Sequence, residues 1–177
     1  MRKLVLLLSL LFGLSACASM YVDPGQTPAS LRVHARATLD PQEVDDFLQE
    51  KVLSPIEYHI ARWGGNLQGP WWAIKAYQRD AKGELRPLRS LNNNFFEGLE
   101  TYKFAGYRDF IIPPGQYPVE IWLEAYMHYC TDFWRRDCGT PTVKRWTQAL
   151  PFDQFAPGQQ IEFNIDGRKF DSGKGLD

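Results

Sequence analysis

The stretch from Tyr117 to Met127 constrains this chain more than any other. Tyr117, Val119, Ile121, Leu123, Ala125 and Met127 occupy alternate positions, with Glu120, Trp122, Glu124 and Tyr126 between them. Successive side chains of a strand point to opposite faces, so this run has one apolar and one mixed polar face. Such a strand needs neighbours in a sheet and a second layer over its apolar side.

The rest of the chain supplies both. Leu31, Val33, Ala35, Ala37 and Leu39 alternate with Arg32, His34, Arg36 and Thr38, which reads as a half-buried strand. Asp40-Pro41-Gln42-Glu43 then starts a helix: Asp40 can cap, Pro41 suits the first helical position, and Glu43 sits where a capping box wants it. Val44, Phe47, Leu48 and Val52 keep one helical face. Ser54-Pro55-Ile56-Glu57 repeats the signal, and Ile56, Ile60 and Trp63 lie at i, i+4 and i+7. Ile56, Tyr58 and Ile60 also alternate, which allows a strand; the capping signal favours a helix ended by Gly64-Gly65.

From Pro70 the pattern is β-like. Residues 71–78 form a strand, Asp80-Ala81-Lys82-Gly83 a turn, and Leu85 to Leu88 pairs back, with Pro87 placing it at an edge. Phe95 to Phe104 fits neither period. Tyr107 to Ile112, stopped by Pro113-Pro114-Gly115, is a strand, and Val143 to Leu150 and Gln160 to Ile165 complete the set. The expected fold is mainly β, an antiparallel β-sandwich with one or two short helices inserted after the first strand. The run Phe110-Ile111-Ile112-Pro113-Pro114-Gly115-Gln116-Tyr117-Pro118-Val119-Glu120-Ile121, echoed by Ala156-Pro157-Gly158-Gln159 before Ile161, resembles transthyretin-like and PEGA-like β-sandwich modules. That resemblance implies a sandwich used as a binding or structural part.

The amino terminus reads as an address. Arg2 and Lys3 precede an apolar run from Leu4 to Leu14, too short for a bilayer core of about 30 Å but suited to a signal peptide. Leu14-Ser15-Ala16-Cys17 at its end resembles the lipobox of bacterial lipoproteins. The resemblance implies lipid on the Cys17 sulfur, removal of residues 1–16, and a membrane held through acyl chains. Ala18 and Ser19 follow where inner-membrane lipoproteins often carry Asp, which points to the outer membrane, facing the periplasm. Residues 17–30 comprise the lipidated Cys and a tether rich in Pro, Gly and small residues, 31–165 a single domain, and 166–177 a flexible tail.

Loss of Arg2 and Lys3 moves the formal charge from −1 to about −3, which is no footprint for nucleic acid. With Cys17 lipidated, Cys130 and Cys138 are left as a pair in an oxidising compartment, and a disulfide between them is expected. Zinc is the rival, but two Cys without neighbouring His or Cys partners are too few ligands, so no metal or cofactor is expected.

Motifs for catalysis are missing. There is no Gly-x-Ser-x-Gly elbow, and His34, His59 and His128 lie far apart without metal-site spacing. Glu120 and Glu124 share a strand face, but their backbones should stand roughly 13 Å apart, beyond the about 5–9.5 Å of a glycosidase pair. The expected site is a binding surface. Phe133, Trp134, Arg135 and Arg136 lie inside the bridged loop, and Trp and Arg dominate interface hot spots; Phe133 or Trp134 folding inward as a plug is the plainer alternative. Trp122 is a further candidate. Of Trp71 and Trp72, one should point in and one out. These features describe a non-enzymatic lipoprotein that binds or stabilises another envelope protein. An inhibitor or immunity-type lipoprotein acting on a hydrolase, and a glycan-binding or cell-wall-acting protein using Trp122, Glu120 and Glu124, are the alternatives.

Overall fold

The first strand, β1 (Ala29–Thr38), buries Ala29, Leu31, Val33, Ala35 and Ala37 and turns the residues between them outward. The alternation written in the sequence is therefore the alternation of the fold, and the strand starts at Ala29 rather than Leu31. The computed structural model describes residues 25–91, 102–132 and 136–167. Within them two main sheets enclose one apolar core.

β1 lies inside a four-stranded sheet, between β5 (Lys103–Ile112) and β11 (Gln160–Asp166), with β4 (Arg89–Ser90) beyond β5. It runs antiparallel to β5 and parallel to β11, the one parallel pairing among the described strands. Residue 166, expected to open the tail, is instead the last residue of β11, and the Gly167 N–H donates to the Arg36 carbonyl. The second sheet is built on β7 (Val119–Cys130). β2 (Leu67–Arg79) flanks it on one side, followed by β3 (Leu85–Pro87); β8 (Cys138–Gly139) and β9 (Thr142–Ala149) pair with it on the other. Two short strands, β6 (Gly115–Gln116) and β10 (Gln154–Phe155), pair with each other.

Both expected helices follow β1, as α1 (Pro41–Phe47) and α2 (Pro55–Trp63), with a π-helical turn Leu48–Val52 between them. At α2 the capping box is complete: Ser54 Oγ accepts from the Glu57 N–H, and Glu57 accepts from the Ser54 N–H. At α1 it is not. Asp40 accepts from Gln42 N–H, while Glu43 turns away to pair with Lys144 of β9 at 2.8 Å. A cross-element ion pair replaces the local one and ties the helix to the second sheet.

The sheets meet at Trp72, fully buried, whose ring stacks on Phe104 at 5.3 Å and on Trp146 at 5.7 Å. The expected split of the Trp pair is thus realised, with Trp72 inward and Trp71 on the outer face beside His128. Among the described residues one charge enters the core: Arg108, 2 % exposed, donates to the Ile74 carbonyl at 2.8 Å and to Ser90 Oγ at 2.7 Å. It bridges the sheets where an unpaired polar group would be costly.

These contacts also give the molecule two ends. Trp72 lies against Phe104, and further along both strands the Ile74 carbonyl meets Arg108, so β2 and β5 run in the same direction and begin at the same end. Ala29 pairs with Ile112 and Thr38 with Lys103, so β1 carries the chain from Ala29 toward that end. The helices follow there. The base of the bridged loop is there too, because the Cys130 N–H donates to the carbonyl of Asn66, just past α2.

Candidate partner-binding face

The outward side chains of β7 form a ladder from Glu120 through Trp122, Glu124 and Tyr126 to His128. The neighbouring strands decide what each rung does. Glu120 pairs with Arg79 of β2 and accepts from Trp122 Nε1 at 3.3 Å. The Trp122 ring has Tyr77 on one side, centroids 4.4 Å apart, and the Arg145 guanidinium at 4.1 Å. Burial pushes the Tyr77 hydroxyl above its ordinary pKa.

Glu124 is the centre of this face and has 0 % exposure although it points away from the core. It pairs with Lys75 at 2.6 Å and with Arg145 at 2.5 Å, and accepts a hydrogen bond from the Tyr126 hydroxyl. Lys75 Nζ donates in turn to Tyr126 at 2.5 Å. A carboxylate removed from water needs such partners to stay charged. Both carboxylates considered as an acid–base pair are therefore engaged by cations, and Glu124 is closed to solvent.

At the top of the ladder the expected disulfide is present between Cys130 and Cys138, closing the loop after β7. Asp132 Oδ1 accepts from the N–H groups of Arg136 and Asp137, and Asp137 Oδ2 accepts from Thr131 Oγ1. Arg136 is exposed. Phe133, Trp134 and Arg135, like Cys17 and the tail from residue 168, lie outside the described residues. The structure thus brings Trp122 and the base of the bridged loop onto one strand, at different heights.

Beside the loop stands a surface the sequence reading did not single out. In α2 the buried residues are Tyr58 and Ala61, while Ile56 is 74 % exposed and Trp63 78 %, with Ile60 exposed between them. The i, i+4, i+7 stripe was legible, but not that it faces outward. The Asp45–Arg62 ion pair at 2.7 Å fixes α2 against α1 in that orientation.

The outer face of the four-stranded sheet holds a groove of about 750 Å³, lined by His34, Arg36, Tyr107, Gln148, Asn164 and Asp166 among others. It mixes both charge signs. The three histidines do not converge: His34 lies in this groove, His59 sits on α2 at 5.9 Å from Trp63, and His128 lies beside the disulfide.

No family model, no curated protein and no solved structure matches this chain.

Proposed function

We propose that the chain is a lipid-anchored protein of a bacterial outer membrane, facing the periplasm, that binds another envelope protein without catalysing a reaction. The observation that carries the binding reading is the outward apolar face of α2, with Ile56, Ile60 and Trp63 exposed. Exposed apolar side chains gathered on one element mark an interaction surface more often than singly scattered ones do. The bridged loop closes beside that helix, and a short closed loop loses little entropy on binding. The anchor reading is supported by the Leu14-Ser15-Ala16-Cys17 sequence and by the fold's polarity, with the start of β1 and α2 at opposite ends. A domain held this way presents α2 and the loop away from its membrane. Among the described residues no helix is long and apolar enough to cross a bilayer.

The test is recovery of the anchored protein from membranes after mild cross-linking. A stable complex with one envelope protein, lost in Ile56→Asp with Trp63→Ala, is the expected result. Recovery of a single soluble hydrolase would favour the inhibitor reading. Unchanged binding in Trp134→Ala with Arg135→Ala would remove the loop tip from the interface. Cys17→Ala should abolish palmitate labelling and release or mislocalise the domain; retained labelling would refute the anchor.

A further inference from the structure

The disulfide has a histidine neighbour on its own strand. His128 lies two positions before Cys130 on β7, and residues at i and i+2 of a strand share a face. The His128 Nε2 atom stands 3.7 Å from Cys130 Sγ. The donor atoms of His128, Cys130 and Cys138 all lie within 4.8 Å of one another. The shortage of ligands that disfavoured zinc at the level of sequence is thereby reduced to one position.

We propose that His128, Cys130 and Cys138 form a redox-gated site for a thiophilic divalent cation, bridged by the disulfide in one state and by the metal in the other. The spacing fits. Zinc bonds of about 2.3 Å to sulfur and about 2.1 Å to nitrogen, at a tetrahedral angle, separate the two ligand atoms by about 3.6 Å. The ring is also held as a metal-binding imidazole needs to be. His128 Nδ1 lies 3.1 Å from Thr140 Oγ1, so protonation at Nδ1, with donation to Thr140, leaves the Nε2 lone pair facing the sulfurs. Trp71 stacks on the ring at 6.0 Å and nearly parallel, limiting its rotation.

The gate is the sulfur–sulfur bond. Cys138 is exposed and Cys130 buried, so an external dithiol reaches the bridge from the Cys138 side. The dithiol gives two electrons and two protons, leaving two thiols here and becoming a disulfide itself. Cation binding then displaces both thiol protons. The fourth coordination position is open to water or to a donor atom from a partner. In the reduced protein the metal takes over the closure of the loop at the Cys130–Cys138 pair of β7 and β8.

The test uses the full-length lipidated protein in detergent. It is dialysed against Zn²⁺ before and after phosphine reduction, and bound zinc is counted by atomic absorption. About one zinc per chain is expected after reduction and none before. Cobalt in place of zinc should give thiolate-to-metal charge-transfer absorption only in the reduced protein. His128→Ala keeps the cysteines and should lose at least 100-fold in affinity, and Thr140→Val about 10-fold, as for an outer-shell partner. Cys17→Ser should bind as the parent does. Equal zinc in the oxidised protein, no zinc after reduction, or unchanged affinity in His128→Ala would overturn the proposal.

Discussion

The outer faces of the two main sheets look alike in the sequence and differ in the fold. On the four-stranded sheet, Arg32 pairs with Asp109 at 2.8 Å and covers Tyr107, yet Tyr107 keeps 47 % of its surface and both charges meet water. On the five-stranded sheet, Glu124 and Tyr126 are buried beneath Lys75 and Arg145. Both faces arise from strands that alternate apolar and polar residues. Alternation assigns a residue to a face; the neighbours on adjacent strands decide whether that face is wet. β2 and β9 bring long cations and aromatic rings over β7, whereas β5 and β11 leave β1 under a groove.

The contrast can be broken by measuring stability. Glu124→Ala leaves Lys75 and Arg145 without their shared carboxylate and Tyr126 without its acceptor. A loss of about 3 kcal/mol in urea denaturation is expected, changing less with salt than an exposed pair does because the carboxylate has no exposed surface. Tyr126→Phe removes one hydroxyl from the same network and should cost about 1 kcal/mol. Asp109→Ala on the wet face should cost under about 1 kcal/mol and fade in 1 M salt, where the Debye length is about 3 Å. If Asp109→Ala proves as costly as Glu124→Ala, the two faces are energetically alike and the distinction fails.

The smallest effect concerns the helix that carries the exposed face. Hydrogen bonds from the Ser54 hydroxyl region and backbone hold the Glu57 carboxyl below its ordinary value. A depressed folded pKa adds stability above the unfolded carboxyl value of about 4.3 and loses it as pH falls through the folded value. Glu57→Ala should therefore be less stable than the parent at pH 7, with the gap narrowing as the pH is lowered through the acid range. A gap that widens on acidification would contradict the capping box at α2.

Much of this architecture was legible in the chain. β1 and β7 followed from period-two patterns, both helices from their Pro-containing starts, and the disulfide from cysteine pairing once Cys17 was set apart. What escaped depends on long-range placement. Glu43 fits a local capping box, but Lys144, distant in sequence, draws it away. Ile56, Ile60 and Trp63 show helical spacing, but which side of α2 meets the core is fixed by Tyr58 and Ala61 packing beneath it. Arg108 reads as an ordinary strand charge, and its burial depends on Ile74 and Ser90 from other strands. The Cys130–Cys138 pairing was expected; what escaped was that His128, two positions before Cys130, shares its face of β7 and so stands beside the bridge.

In the proposed arrangement the end of the molecule carrying α2 meets a partner while the other end is held to a membrane. It is tested most directly by placing a photo-cross-linking side chain at Trp63 in the anchored protein, with Tyr107 as the reference position in living cells. Cross-linking of Trp63 to one envelope protein, with none from Tyr107, is the predicted result. Cross-links from Tyr107 alone, or from neither position, would contradict it.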